Sequence, residues 1–300
     1  MLKKIIKTHF SIEIIDCQQV KKIDTLVFKV LDTEGSAFVA KLYKVHNQSI
    51  VEKIAQNAAF LTFVKAHTTL NIQVPPKPYF PLVKWKKEKR YLVLGNWIEG
   101  KTPKIKDAAF TQQMGAMMAQ LHNAATAFTP KIDVLTIDNA LVQRVQGLIL
   151  ANQNFFEFDK KHLENAFKYI DFVYKRVGED PSVFGLIHTD LHFDNVIITP
   201  QNEVMPIDFD EVAYGHYLLD IAITFNEIED LEDNSLKEDY CIGYQRYRPL
   251  PDNFDAYIFD FQRIAGCIYL NWFLDEGNTD LPLNKKLLAY ARRALEKILS

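Results

Sequence analysis

Cysteine is scarce in this 300-residue chain, and the three present, Cys17, Cys241 and Cys267, are odd in number, far apart and without CxxC spacing. A disulfide framework and a thiolate zinc site are therefore both excluded as expectations. Long apolar runs are missing too: nothing approaches the ~20 residues of a membrane span. The opening MLKKIIKTHFSIEII meets Lys7, Thr8 and His9 before any signal-peptide core can form. A large charge of one sign is also lacking, since 35 basic and 38 acidic residues leave a net charge of −3. Nucleic acid and anionic membrane surfaces are thus not expected partners, and a cytoplasmic protein that handles a small molecule or a peptide is. What the chain does have is 48% hydrophobic and 12% aromatic residues, enough for a sizeable core.

Periodicity divides the chain in two. Residues 10–42 read as strands (SIEII, DTLVFKV and SAFVAKLY, the last two joined by the turn DTEGS). A helix follows over 50–65, with Ile50, Ile54, Ala58, Leu61 and Val64 on one face, and VPPKPYFP ends it. Two more strands, YFPLVKW and RYLVLGNWI, flank a KKEK tip. Five strands and one helix over 1–98 are too few helices for a doubly wound sheet. Beyond a connector at 95–100, helices are expected at 110–127, 140–152, 155–176, 217–229, 234–247, 252–275 and 284–299, with a short hairpin at 196–207. The fold class is α+β, with a β-rich domain over 1–98 and a helical domain over 99–300.

The chemistry concentrates in LIHTDLHFDNVIIT, residues 186–199. Phosphoryl transfer needs one carboxylate to receive the acceptor's proton and two oxygen ligands for Mg²⁺. Asp190 can be the first, and Asn195 with Asp208, returned by the hairpin, can be the other two. A cation for nucleotide phosphates is expected on a strand of the first domain, and Lys41 in FVAKLY supplies it. Two rival readings compete. His188, Asp190 and His192 form an H-x-D-x-H pattern that strand alternation would aim one way, as in a zinc or iron hydrolase; the stretch can also be a plain polar turn.

The ordered set of motifs resembles the aminoglycoside phosphotransferase and choline kinase group of small-molecule kinases, which share the bilobal protein-kinase-like fold. His188 to Asn195 is similar to its catalytic loop H-G-D-L-H-x-x-N, and Ile207-Asp208-Phe209-Asp210 to its metal-binding segment. Tyr214-Gly215 and Asp220-Ile221-Ala222 resemble its downstream pairs, Met114 to His122 its L-G-x-x-L-A-x-L-H helix, and Tyr91 to Gly100 its adenine-cradling strand and hinge.

The resemblance implies ATP and Mg²⁺ as cofactors, transfer of the γ-phosphoryl group, and a sugar, aminoglycoside or amino alcohol as acceptor. It implies Asp190 as catalytic base, Asn195 and Asp208 as metal ligands, and Lys41, Asn96 and Ile98 as nucleotide contacts. His188 would brace the loop and Asp220 anchor its backbone. Thr189 stands where protein kinases have arginine and Asp210 where they have glycine, both as in small-molecule kinases without a phospho-regulated loop. The covering loop, expected at Gln18 to Asp24, has no glycine, since the first in the chain is Gly35. The helix glutamate that pairs with the strand lysine is missing too: Gln56 and Asn57 precede Phe60-Leu61, and Glu52 is the nearest substitute. These departures keep a catalytically silent nucleotide-binding protein open as an alternative. The acidic run from Glu227 to Asp233 can receive a cationic acceptor or be a solvated loop.

Overall fold

The computed structural model describes residues 1–22, 25–45, 49–75, 78–129, 135–252, 254–274 and 285–300. In chain order the first elements are α1 (Leu2–Phe10), β1 (Ile14–Lys22), β2 (Leu26–Asp32), β3 (Ala37–Lys44), α2 (Ser49–His67), β4 (Leu82–Trp85) and β5 (Glu88–Asn96). Then follow α3 (Ala108–Ala127), α4 (Asn139–Ala151), α5 (Lys160–Val177), β6 (Phe184–Ile187), the pair β7 (Val196–Ile198) and β8 (Val204–Pro206), β9 (Ala213–His216), α6 (Tyr217–Glu229), α7 (Ser235–Gln245), α8 (Phe254–Leu274) and α9 (Lys285–Leu299). The chain forms two compact units. One is built on Met1–Lys101 and Ile197–Asp210 with a shorter stretch that includes Phe128, and the other on Thr102–Ala127, Val134–Val196 and Glu211–Ser300.

In the first unit, five antiparallel strands lie in the order β1-β2-β3-β5-β4. Alternation along β3 explains how the sheet serves both packing and chemistry. Ala40 and Leu42 join a core of Leu2, Ile6, Phe28, Val30 and Leu92. Lys41 and Tyr43, one residue out of phase, share the opposite face of β3.

Two expectations for this region need correction. The first is α1, for which no helix was expected: Leu2 and Ile6, one turn apart, bury their side chains against the sheet core, and Ser11 ends the helix in the left-handed region. Four lysines or histidines on the rest of the helix mask that spacing in a run this short. The second is β1, which starts at Ile14 rather than at Ser11 and runs on through Gln18 to Lys22, paired with β2. Most of the expected covering loop is therefore strand, and its last residues, Ile23 and Asp24, lie outside the described residues.

In the second unit, α3 and α7 cross at backbone contact. A Cβ on Gly115 would meet the Tyr240 carbonyl oxygen at 2.0 Å, and one on Gly243 would meet that of Gln112 at 1.9 Å. Only hydrogen fits at both points. Helix α5 begins at Lys160, five residues later than expected, because Asp159 caps it by accepting from the His162 N–H at 2.7 Å, while Gln153–Phe155 form a separate 3-10 turn. The expected α8 and α9 are present as described above, with residues 275 and 284 outside the described set. The strands β6 and β9, also unexpected, pair antiparallel from Phe184↔His216 to Ile187↔Ala213. No helix among the described residues is long and apolar enough to cross a membrane.

His216 closes β9 and stands at the N-cap of α6. It is 1% exposed, boxed by the rings of Tyr174, Phe184 and Phe261, and neither ring nitrogen has a hydrogen-bond partner among the described residues. Burial pulls its pKa down to about 4, and the adjacent helix N-terminus disfavours the imidazolium as well. Above the ordinary histidine pKa both folded and unfolded states hold it neutral, so it contributes nothing to pH dependence there. As pH falls from about 6.5 toward 4 only the unfolded state takes the proton, so stability is lost over that window. The linkage amounts to about 2 kcal/mol between pH 7 and 5. We therefore expect His216→Phe to flatten the fall in melting temperature across that range relative to the parent; an unchanged slope would show that His216 does not titrate on unfolding.

Candidate active site

The loop that follows β6 is fixed from behind by one carboxylate. Asp220, in the first turn of α6 and 1% exposed, accepts the N–H of His188 on Oδ2 and the N–H of Thr189 on Oδ1, each at 2.8 Å. His122 on α3 reaches Oδ2 through Nε2 at 3.3 Å, and its Nδ1 lies 2.9 Å from the Tyr244 hydroxyl on α7. Burial, only partly opposed by Asp220, pulls the His122 pKa down, so the ring is neutral. The consistent tautomer has Nε2–H donating to Asp220 and Nδ1 accepting from Tyr244. Three N–H donors thus replace the water that a buried carboxylate would otherwise lose.

This anchorage holds a strained turn. Thr189 has φ +66°, a left-handed conformation that is an outlier for a β-branched side chain and costs on the order of 1–3 kcal/mol. Its Oγ1 donates to the Glu211 carbonyl at 2.7 Å, a second tie on the same residue. The turn leaves the Asp190 side chain 48% exposed. Asn195, 6% exposed, donates from Nδ2 to both the carbonyl and Oδ2 of Asp190 at 2.8 Å, which orients the carboxylate. His192 Nε2 lies 3.6 Å from Asp190 Oδ1.

The H-x-D-x-H reading fails on this geometry. Residues 188–192 are not a strand, so alternation does not align their side chains. His188 Nδ1 accepts from the Asp190 N–H at 3.3 Å and His192 Nδ1 from the Asp194 N–H at 3.2 Å. Among the described residues no three His, Cys, Asp or Glu side chains converge to hold a metal ion. The plain-turn reading fails as well, since it has no use for a buried carboxylate behind the loop. Beside the loop, Glu227 on α6 accepts from the Phe193 N–H; burial raises its pKa while the neighbouring His192 lowers it. Glu229, two residues on, is neutralised instead by Lys237 at 2.6 Å and by Lys297, so the acidic run is not simply a solvated loop.

In the first unit, Lys41 Nζ lies 2.6 Å from Asp208 Oδ1 and 2.8 Å from Asp210 Oδ1. The Tyr43 hydroxyl donates to that same Asp210 oxygen at 2.6 Å. Burial works against the charge on Lys41, but Asp210, with Tyr43 and Asp208, outweighs it and holds the ammonium well above the ordinary lysine range. Asp208 itself has φ +65°, a left-handed conformation that aspartate tolerates better than most residues. From α2, Asn57 Nδ2 donates to the Phe209 carbonyl at 2.9 Å and so pins the backbone between the two aspartates.

The predicted residues thus fall into two groups. The fold brings Asp190, Asn195, His188 and Asp220 together in the second unit, and Lys41 and Asp208 together in the first. Glu52 takes no part: it is exposed on α2, and the carboxylates on Lys41 are those of Asp208 and Asp210. Asn96 spends its side-chain oxygen on the Val74 N–H at 2.8 Å, and Ile98 is buried at 3% exposure. Tyr43 and Tyr244 escaped the sequence reading, and Asn57 entered it only as standing near the place of the missing helix glutamate. Only Tyr43 carried a signal, its two-residue spacing from Lys41 on one strand.

The model of the family described as "Phosphotransferase enzyme family" matches residues 16–257. A homoserine kinase of Neisseria meningitidis serogroup B is 38% identical over 88 residues, which are 28% of this chain and 28% of that enzyme, so the match covers less than a third of the relative. Among solved structures, an amicoumacin kinase in complex with AMP-PNP, Ca²⁺ and Ami superposes with TM-score 0.75 at 17% identity, over 94% of this chain and 87% of that one. A microcompartment-associated aminopropanol kinase gives 0.70 at 17% over 99% and 94%, and a choline kinase from Streptococcus pneumoniae 0.66 at 14% over 99% and 97%. These structural likenesses share the protein-kinase-like fold with this chain: an antiparallel sheet at the N-terminal end and a helical remainder.

The anchorage is open to a graded test by chemical denaturation. Asp220→Ala strands three buried donors and should cost about 3–5 kcal/mol, whereas Tyr244→Phe removes one neutral hydrogen bond and should cost about 1 kcal/mol. Equal costs would show that the carboxylate is not the hub.

Proposed function

The chain belongs to the phosphotransferase enzyme family, and from that premise we propose that it is a small-molecule kinase that transfers the γ-phosphoryl group of ATP, with Mg²⁺, to the hydroxyl of an amino alcohol. The observation that carries this reading is the half-exposed Asp190 carboxylate, oriented by Asn195 on a strained loop that a buried Asp220 anchors. In the proposed reaction the acceptor oxygen bonds to the γ-phosphorus, the bond to the ADP oxygen breaks, and Asp190 takes the hydroxyl proton. The protein supplies placement rather than covalent chemistry.

The residues present fit the cofactors. Lys41, Asp208 and Asp210 together carry a formal charge of −1, which suits a dication, and magnesium prefers oxygen ligands of the kind that Asp208 and Asn195 offer. Asp208 and Asn195 would hold the ion, and Lys41 would meet the nucleotide phosphates. When bound, Mg²⁺ offsets the negative charge of the phosphates.

Two observations favour an amino alcohol among hydroxyl acceptors. The partial match to a homoserine kinase is one. The other is Glu227, a partly buried carboxylate beside the His192–Asp194 segment and therefore suited to an ammonium group.

Two measurements test the reading. Asp190→Asn should lower transfer by 10²–10⁴-fold, roughly the worth of a positioned base, while the rise in melting temperature with Mg²⁺-ATP is retained and Asp208→Ala abolishes that rise. Nucleotide binding without turnover of any acceptor would favour the catalytically silent alternative. In an acceptor panel of homoserine, aminopropanol, choline, ethanolamine, aminoglycosides and neutral sugars, the amino alcohols should be turned over, and Glu227→Gln should raise their KM by about tenfold, the worth of one charge-assisted contact. Turnover confined to neutral sugars would refute the amino-alcohol assignment.

A further inference from the structure

A lysine that meets phosphate must be held, because a free four-carbon side chain samples many rotamers. The expected holder, a carboxylate on the helix after the lysine strand, is missing here: Asn57 occupies that part of α2 and Glu52 is exposed. Asp208 touches Lys41, but as a proposed metal ligand it cannot also be a dedicated partner for the ammonium. We infer that Asp210, locked by Tyr43, has taken over the holding of Lys41.

Four features of the first unit support this. Tyr43 Oη and Lys41 Nζ converge on a single oxygen, Asp210 Oδ1, at 2.6 and 2.8 Å, so the carboxylate has one favoured rotation. Both donors stand on β3, flanked by β2 and β5, with Lys41 opposite Val27 and Val93, so the backbone beneath them is fixed on both sides. Their two-residue spacing puts them on one face. The fourth is Asn57, whose amide grips the Phe209 carbonyl between Asp208 and Asp210. Helix α2 thus acts on the backbone that carries the aspartates, and the aspartate acts on the lysine. Asp210 and Tyr43 are positioning residues, since they act through Lys41. The inference rests on the proposed function only for the use that a nucleotide makes of Lys41.

A thermal double-mutant cycle tests the holding itself, with no nucleotide present. Lys41→Met combined with Asp210→Asn should lower the melting temperature by clearly less than the sum of the two single losses, while Lys41→Met combined with Glu52→Gln should be additive. An additive Asp210 cycle, or a non-additive Glu52 cycle, would overturn the inference. Its consequence is read by equilibrium binding of a fluorescent ATP analogue, with Mg²⁺ and separately in EDTA. Tyr43→Phe, which keeps the ring and removes one hydroxyl, and Asp210→Asn should each weaken binding about three- to tenfold in both conditions, the range of a single hydrogen-bonded contact. Loss confined to the Mg²⁺ arm would make Asp210 a metal ligand rather than a holder and overturn the assignment. If the parent protein bound no nucleotide, the proposed function would fail on that ground while the thermal cycle still decided who holds Lys41.

Discussion

The second unit depends on one buried negative charge. Asp220 is 1% exposed, and among the described residues it has no lysine or arginine partner. Such a charge is tolerable only where dipoles replace water, and here two backbone N–H groups and a neutral imidazole do so. Because the backbone donors belong to consecutive residues of the loop, satisfying the charge and shaping the loop are a single event. The left-handed Thr189 is a cost of that shape, and its tie to Glu211 helps to keep it. Asp190 is placed by what lies behind its loop, and Asn195 then orients its carboxylate.

The donors that serve Asp220 must themselves be placed, and this links the site to helix packing. His122 sits on α3 and Tyr244 on α7, and these helices meet where Gly115 and Gly243 allow backbone against backbone. A side chain at either glycine would push the helices apart and draw the Tyr244–His122–Asp220 chain with them. Close packing of this kind transmits small displacements instead of absorbing them. Residues remote from Asp190 in sequence therefore determine how its loop is held.

A different economy governs the first unit. Its cation and two carboxylates are brought together by strand alternation, an αL turn at Asp208 and one amide from α2. No glutamate from the helix is needed. The change in partner shows how one electrostatic requirement, a fixed ammonium, is met by whichever carboxylate the local backbone can present.

Much of this was legible beforehand, because it is written in period and spacing. Most strand and helix boundaries, and the nomination of a strand lysine together with a distant D-F-D, were readable from alternation, 3.6-residue repeats and motif order. So was the backbone-anchoring place of Asp220. What stayed hidden has physical reasons. The helix α1 is a two-turn element dense in lysine, and β6 and β9 are four-residue strands whose pairing is a long-range event with no local signature. Glu52 was nominated by proximity in sequence, but its exposure depends on which face of α2 the core claims. By itself, then, the sequence determined the fold class and the residue types of the chemistry, since hydrophobic period and donor chemistry are local properties. Only the tertiary structure decided the partners: which carboxylate holds Lys41 and which donors hold Asp220. Hydrogen bonds a few ångströms long between residues up to 169 positions apart exist only after the chain has folded.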